Sequence, residues 1–155
     1  MLSRVFPAAV DNRYRALKPG LWLFALIALQ KTALGLFHMF SADGGAQSVS
    51  TIPLDTYGAG AAQNVVAMFA RLGLEQFLLG VLFLVALIRY RSLVPLMYAV
   101  ALLHFAALQG IAALKPLALA GVSGAATMAY VIAGLTALGL ILSLAGPGKQ
   151  NRPAA

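Results

Sequence analysis

The sequence contains no cysteine. That excludes structural disulfides, thiol redox chemistry, thiolate metal sites and cysteine-linked haem. Acid is scarce as well: Asp and Glu number 4, against 11 Lys and Arg. Charged residues of both signs make up only 10% of the chain, where a soluble domain carries roughly 25%. A chain so poor in charge cannot cover its apolar side chains with a polar surface. The length of 155 residues allows one domain.

What the chain has in excess is apolar residues, 61% of the total. They gather in four runs, at about residues 20–40, 64–88, 93–114 and 123–145. Each is about 20 residues or longer, enough to cross a hydrocarbon layer about 30 Å thick as a helix. The first run begins like a signal peptide, with basic residues before an apolar centre. It is too long for one and is interrupted by Lys31, so it reads as a retained helix. The expected fold is all-α: an integral-membrane, four-helix, up-down bundle, a single transmembrane domain over residues 1–155.

The net charge of +7 would suit a nucleic-acid partner in a soluble protein. Here the basic residues flank the apolar runs, so the charge reads as membrane orientation and no nucleic acid is expected. Arg4, Arg13, Arg15 and Lys18 precede the first run, Arg89 and Arg91 separate the second from the third, and Lys149 and Arg152 follow the fourth. The opposite side has only Lys115. The positive-inside rule puts both termini in the cytoplasm of a multi-pass inner-membrane protein. The outer loop, residues 41–63, is rich in Gly, Ala and Ser and holds Asp43 and Asp55. Pro53 and Asp55 predict a helical turn leading into the second span, with Asp55 or Thr56 as its cap.

Polar residues inside the spans need partners or a function. Counting inward from the flanking basic residues gives their depth. Lys31, Glu75, His104 and Thr136 lie thirteen or fourteen residues from Lys18, Arg89, Arg91 and Lys149. At 1.5 Å per residue all four sit about 20 Å in. Arg71, Gln109, Tyr130 and His38 form a second level about 27–30 Å in. Arg71 and Glu75 share a stripe of the second span with Asn64 and Met68. His104 shares a stripe of the third with Met97, Ala101, Leu108 and Ile111, whereas Gln109 points elsewhere.

The simplest account is a Lys31–Glu75 ion pair, with hydrogen bonds added by His104 and Thr136. Lys31 and Arg71 face only one intramembrane carboxylate, so positive charge is left over. That surplus suits an anionic or hydrogen-bonding head group of a lipid, quinone, isoprenoid or sterol-like molecule. The leading expectation is therefore a non-catalytic accessory or scaffold protein that binds a lipophilic ligand at these eight residues. One alternative is a small membrane enzyme or carrier acting on a lipid-like substrate through Glu75, Lys31, His104 and Arg71. Glu75 and His104 would then serve as base and acid, but no nucleophile accompanies them. Another is a pigment- or haem-binding subunit. His38 and His104 differ in depth by roughly 10 Å, which argues against both holding one iron. No metal site is expected, with one intramembrane carboxylate and no thiols, and no cofactor is assigned.

Ala125, Ala129, Ala133 and Ala137 form a small-residue stripe on the fourth span. It suits close packing, within the bundle or against a membrane-protein partner or second copy; Gly73 and Gly80 on the second span suit the same.

The segment Phe69–Tyr98, FARLGLEQFLLGVLFLVALIRYRSLVPLMY, resembles the second and third spans of small DoxX-like bacterial membrane proteins. The likeness lies in an Arg-x-Gly start, a glycine-containing apolar helix and a basic turn, and it implies a four-helix inner-membrane protein. Tyr98 and the pair His104–Phe105, with a short loop and a final span after them, are similar to the layout of the ergosterol-pathway scaffold protein. That likeness implies a tethering role without catalysis; Ala107 and Leu108 stand where that family has a serine and a glutamate.

The orientation has a direct test. A topology reporter fused after the last residue is expected to be active only in the cytoplasm; activity on the far side would overturn the four-crossing arrangement.

Overall fold

The computed structural model describes residues 2–146. These form a short α1 (Leu2–Val5) and four long helices: α2 (Lys18–Phe40), α3 (Ala59–Arg89), α4 (Val94–Leu114) and α5 (Gly124–Leu144). Turns of 3-10 helix lie at Leu54–Thr56 and Arg91–Leu93. All four long helices are long and apolar enough to cross a membrane, as in a multi-pass membrane protein. Helices α2, α4 and α5, of 23, 21 and 21 residues, span about 31–35 Å.

Helix α3 has 31 residues and reaches about 46 Å, longer than the hydrocarbon layer. It starts at Ala59, earlier than the apolar run at 64, because Ala59, Ala61, Ala62 and Gln63 are good helix formers without being strongly apolar. The expected caps at its start are not made. Asp55 and Thr56 lie in the preceding 3-10 turn, where the Thr56 hydroxyl donates to Pro53 O at 2.8 Å. The N-cap is Gly58, with no side-chain bond. Helix α5 is capped conventionally: Ser123 Oγ accepts from Ala126 N at 3.2 Å.

Helices α2 and α3 are antiparallel and touch backbone to backbone. A methyl group on Gly35 would fall within 3 Å of Gly73 O and Phe77 Cα; one on Gly80 would strike the backbone of Thr32. Gly73 in turn lies against His38 and Met39. Glycine is required along this seam because nothing larger fits between the two backbones.

The buried core lies toward the end where the N-terminal segment meets the close of α5. It comprises Phe24, Ile27, Ala28, Phe83, Ala86, Val94, Met97, Tyr98 and Ala101. Tyr98 of α4 is fully buried and donates its hydroxyl to Gly20 O of α2 at 2.6 Å. Phe24 meets the Tyr98 ring edge-on at a centroid distance of 5.1 Å and Phe83 at 5.4 Å. On the remaining side the Tyr98 ring fills the place where a Gly139 side chain would stand. One aromatic side chain thus joins α2, α4 and α5, and through Phe24 it reaches α3.

The N-terminal segment closes this end. Arg4 donates to Leu144 O at 2.6 Å, and Leu17 N to Ala145 O at 3.2 Å. Ser92 Oγ donates to Asp11 O at 2.9 Å and accepts from Asp11 N at 3.0 Å. Arg91 Nε donates to Leu87 O at 2.9 Å. Cationic side chains on the last carbonyls of α3 and α5 suit the negative ends of those helices. Of the flanking basic residues, Lys149 and Arg152 lie outside the described residues.

At the other end the loop after α2 is folded. Asp43 accepts from the backbone N–H groups of Gly45, Gln47 and Ser48 at 2.7–3.1 Å. Partial burial works against its ionised form, but these bonds outweigh it and hold the carboxyl down at about 2. Gly44 and Gly45 take positive φ to make the turn. Ala120 N donates to Thr51 O at 2.9 Å and Thr51 Oγ1 to Gly121 O at 3.1 Å, so the loop is tied to the α4–α5 connection.

The seam gives a contrast that unfolding in detergent can read. Gly35→Ala is expected to lose about 1–3 kcal/mol through overpacking. Gly110→Ala and Gly134→Ala, which face open space, should be neutral or slightly stabilising.

Candidate functional site

No residue of α4 beyond Ala101 is buried, and none of α5 before Thr136. Toward the loop end the bundle is therefore not packed shut. The stripe Met97–Ala101–His104–Leu108–Ile111 shows the transition: Met97 and Ala101 are core, His104 is intermediate, and Leu108 and Ile111 are exposed. On α3 the stripe Glu75–Arg71–Met68–Asn64 runs out of the packed region in the same direction.

Where the packing ends, His104 Nε2 lies 3.0 Å from Glu75 Oε1, with side-chain exposures of 20% and 46%. Lys31 of α2 is half-buried and near enough to both groups to interact electrostatically. It does not come within ion-pair distance of Glu75, so the expected Lys31–Glu75 bridge is replaced by Glu75–His104. The reason is angular. Gln76 is buried on the α3 face that carries Gly73 and Gly80, the seam with α2. Glu75 is turned from Gln76 by about 100° around the helix and meets α4 instead.

Above the pair, Arg71 is exposed and reaches Met68 Sδ at 3.9 Å. It makes no ion pair among the described residues. Farther up lies a cleft of about 320 Å³ lined by Ile52, Tyr57, Asn64, Met68, Phe69 and Leu117 among others. Met68 belongs to both the cleft and the Arg71–Glu75 stripe. Cleft and ion pair thus share one face of α3, about 10 Å apart along its axis.

The other expected site residues go elsewhere. Thr136 is buried and donates to Ile132 O of its own helix at 2.6 Å. His38 is buried under the folded loop, where Nδ1–H donates to Gly44 O at 2.5 Å and the ring meets Phe69 edge-on. Tyr130 donates to Gln109 Oε1 at 3.0 Å, beside the Phe105–Tyr130 ring contact, as an α4–α5 tie. The second level is therefore three separate local arrangements rather than one layer. One ring nitrogen of each histidine is already taken by protein. Among the described residues no group of three His, Cys, Asp or Glu is placed to hold a metal.

Tyr57 and Leu117 escaped the sequence reading. Both lie outside the apolar runs, and only the folded loop brings them to the cleft; nothing in their spacing signals it. Ala125, Ala129, Ala133 and Ala137 are each intermediate in exposure, while residues 126–128 and 130–131 are exposed.

Comparison with protein-family models, curated proteins and solved structures gives no match. The function has to be read from these residues themselves.

The Glu75–His104 contact carries a measurable coupling. A double-mutant cycle of Glu75→Gln and His104→Ala, read by unfolding in detergent, is expected to give about 0.5–2 kcal/mol. Exchanging Lys31 and Glu75 should rescue neither single variant; a full rescue would restore the Lys31–Glu75 pair.

Proposed function

We propose that the protein is a non-catalytic accessory protein of the bacterial inner membrane, with both termini cytoplasmic, that holds a lipid-like molecule by its polar head between the unpacked parts of α3 and α4. The observation that carries this reading is the half-exposed Glu75 beside His104, midway along apolar helices. A charged side chain facing hydrocarbon at the bilayer centre costs about 2.5–3.5 kcal/mol on insertion scales. Glu75 and Arg71 both lie on this open face. A head group that accepts from Arg71 and bonds to the Glu75–His104 pair removes much of that cost. The apolar cleft beside Met68 offers room for the rest of a quinone, isoprenoid, sterol-like or lipid molecule.

A second reading follows from the same pair. An imidazole hydrogen-bonded to a carboxylate is the usual arrangement of a general base and its orienting partner. A small membrane enzyme or carrier acting on a lipid-like substrate would use it so.

Purification in mild detergent followed by mass spectrometry of bound molecules tests the proposal. The expected result is a stoichiometric lipophilic compound that Arg71→Gln and Glu75→Gln each release while the protein stays folded. Co-purifying subunits with no such compound would overturn ligand binding in favour of scaffolding. Turnover of the bound compound, abolished by Glu75→Gln, would establish the enzymatic reading.

A further inference from the structure

The end opposite the cleft holds a second polar site. A small pocket lies between the N-terminal segment, the start of α4 and the close of α5. Arg4, Arg13, Arg15, Arg91, Tyr14 and Ser92 contribute to its wall. Four arginines line it, from two parts of the chain separated by two membrane-length helices. Asp11 pairs with Arg15. Arg13 and Arg91 make no ion pair among the described residues. The backbone of this wall is fixed: Asp11 and Ser92 exchange hydrogen bonds, Arg91 is held on Leu87 O, and Arg4 on Leu144 O.

Tyr14 supplies an independent observation. Its hydroxyl oxygen is shielded from solvent and has no hydrogen-bond partner. The side chain packs against the core, with its hydroxyl beside Gly20, whose carbonyl accepts from Tyr98. Burial pushes its ionisation up to about 12, so the group is a proton donor at any physiological pH. A buried donor left unsatisfied costs about 1–3 kcal/mol. The pocket is about 60 Å³. At about 10–15 Å³ per water-sized occupant, it has room for about four to six such groups, enough for the oxygens of a phosphate.

We infer that this pocket binds a phosphate group at the membrane boundary, with Arg13 and Arg91 as its charge partners and the Tyr14 hydroxyl as a donor. Guanidinium forks match phosphate oxygens in pairs. Basic pockets between helix ends are where lipid head groups bind. The same chemistry would come from an anionic phospholipid or from a soluble phosphate.

The test uses the full chain in detergent at 0.15 M salt, which screens diffuse surface attraction. Short-chain phosphatidylglycerol, short-chain phosphatidylcholine and inorganic phosphate are each titrated by calorimetry. Saturable binding of phosphatidylglycerol alone assigns the site to lipid; binding of inorganic phosphate as well assigns it to the phosphate group itself. In either case Tyr14→Phe and Arg13→Gln should each weaken binding about tenfold. Arg89→Gln, a basic residue at the same end outside the pocket, should change it less than about threefold. The melting temperature of Tyr14→Phe without any probe should match or exceed that of the parent, because the hydroxyl has no protein partner and its removal relieves an unsatisfied buried donor. The inference is overturned by no saturable binding, by phosphatidylcholine binding as well as phosphatidylglycerol, by equal losses in all three variants, or by a Tyr14→Phe protein that melts lower on its own.

Discussion

The arrangement hangs on the side chain of Tyr98. Its hydroxyl reaches the Gly20 carbonyl, its ring lies against Phe24 and replaces any side chain at Gly139, and Phe24 carries the contact on to Phe83. Every long helix is thereby fixed at one level, close to the basic end. Above that level the helices behave as two pairs. Helices α2 and α3 stay together because Gly35, Gly73 and Gly80 let their backbones touch. Helices α4 and α5 are tied to each other by Tyr130 and Gln109. The loop residue Thr51 spans the gap at the far end. The cleft lies at this end, between the start of α3, the loop after α2 and the α4–α5 connection.

In water such an opening would be penalised by exposed leucine and isoleucine. In lipid it is not, because hydrocarbon solvates those side chains as well as a protein core does. Only the polar groups retain a strong preference. Most of them are satisfied locally: Thr32, Thr136 and Ser143 donate to carbonyls of their own helices, and His38 to a loop carbonyl. Glu75, His104, Lys31 and Arg71 differ: Glu75 meets only His104, Lys31 stands near that pair without an ion-pair contact, and Arg71 reaches only Met68. They are the residues for which packing supplies no complete account.

Much of this was legible in the sequence. Apolar run length located the four helices to within a few residues, except at the start of α3, where alanine continues the helix without raising hydropathy. The constant rise of a helix made depth countable, and the count correctly set Glu75 level with His104. Rise does not give azimuth. Which of Lys31 and His104 receives Glu75 depends on which face of α3 the glycines turn toward α2, and Gln76 rather than Glu75 sits on that face. His38 was misplaced for another reason: its partner is Gly44, in a loop whose fold depends on Asp43 gathering three backbone N–H groups. Depth counting treats a helix as a rod in lipid and has no term for a loop that folds back over its end.

The two polar regions differ in how the bundle holds them. The basic pocket lies near the Tyr98 level, where Tyr14 packs on the same core and Asp11 and Ser92 exchange hydrogen bonds. The Glu75–His104 pair lies where the burial of α4 gives out. An occupant of the first would fill a preformed space and chiefly lose its own freedom. An occupant of the second would also draw α3 and α4 together, and that ordering cost would be set against whatever its head group gains from Arg71 and Glu75. If both proposals hold, the lower site would suit a small charged group and the upper one a bulkier apolar molecule.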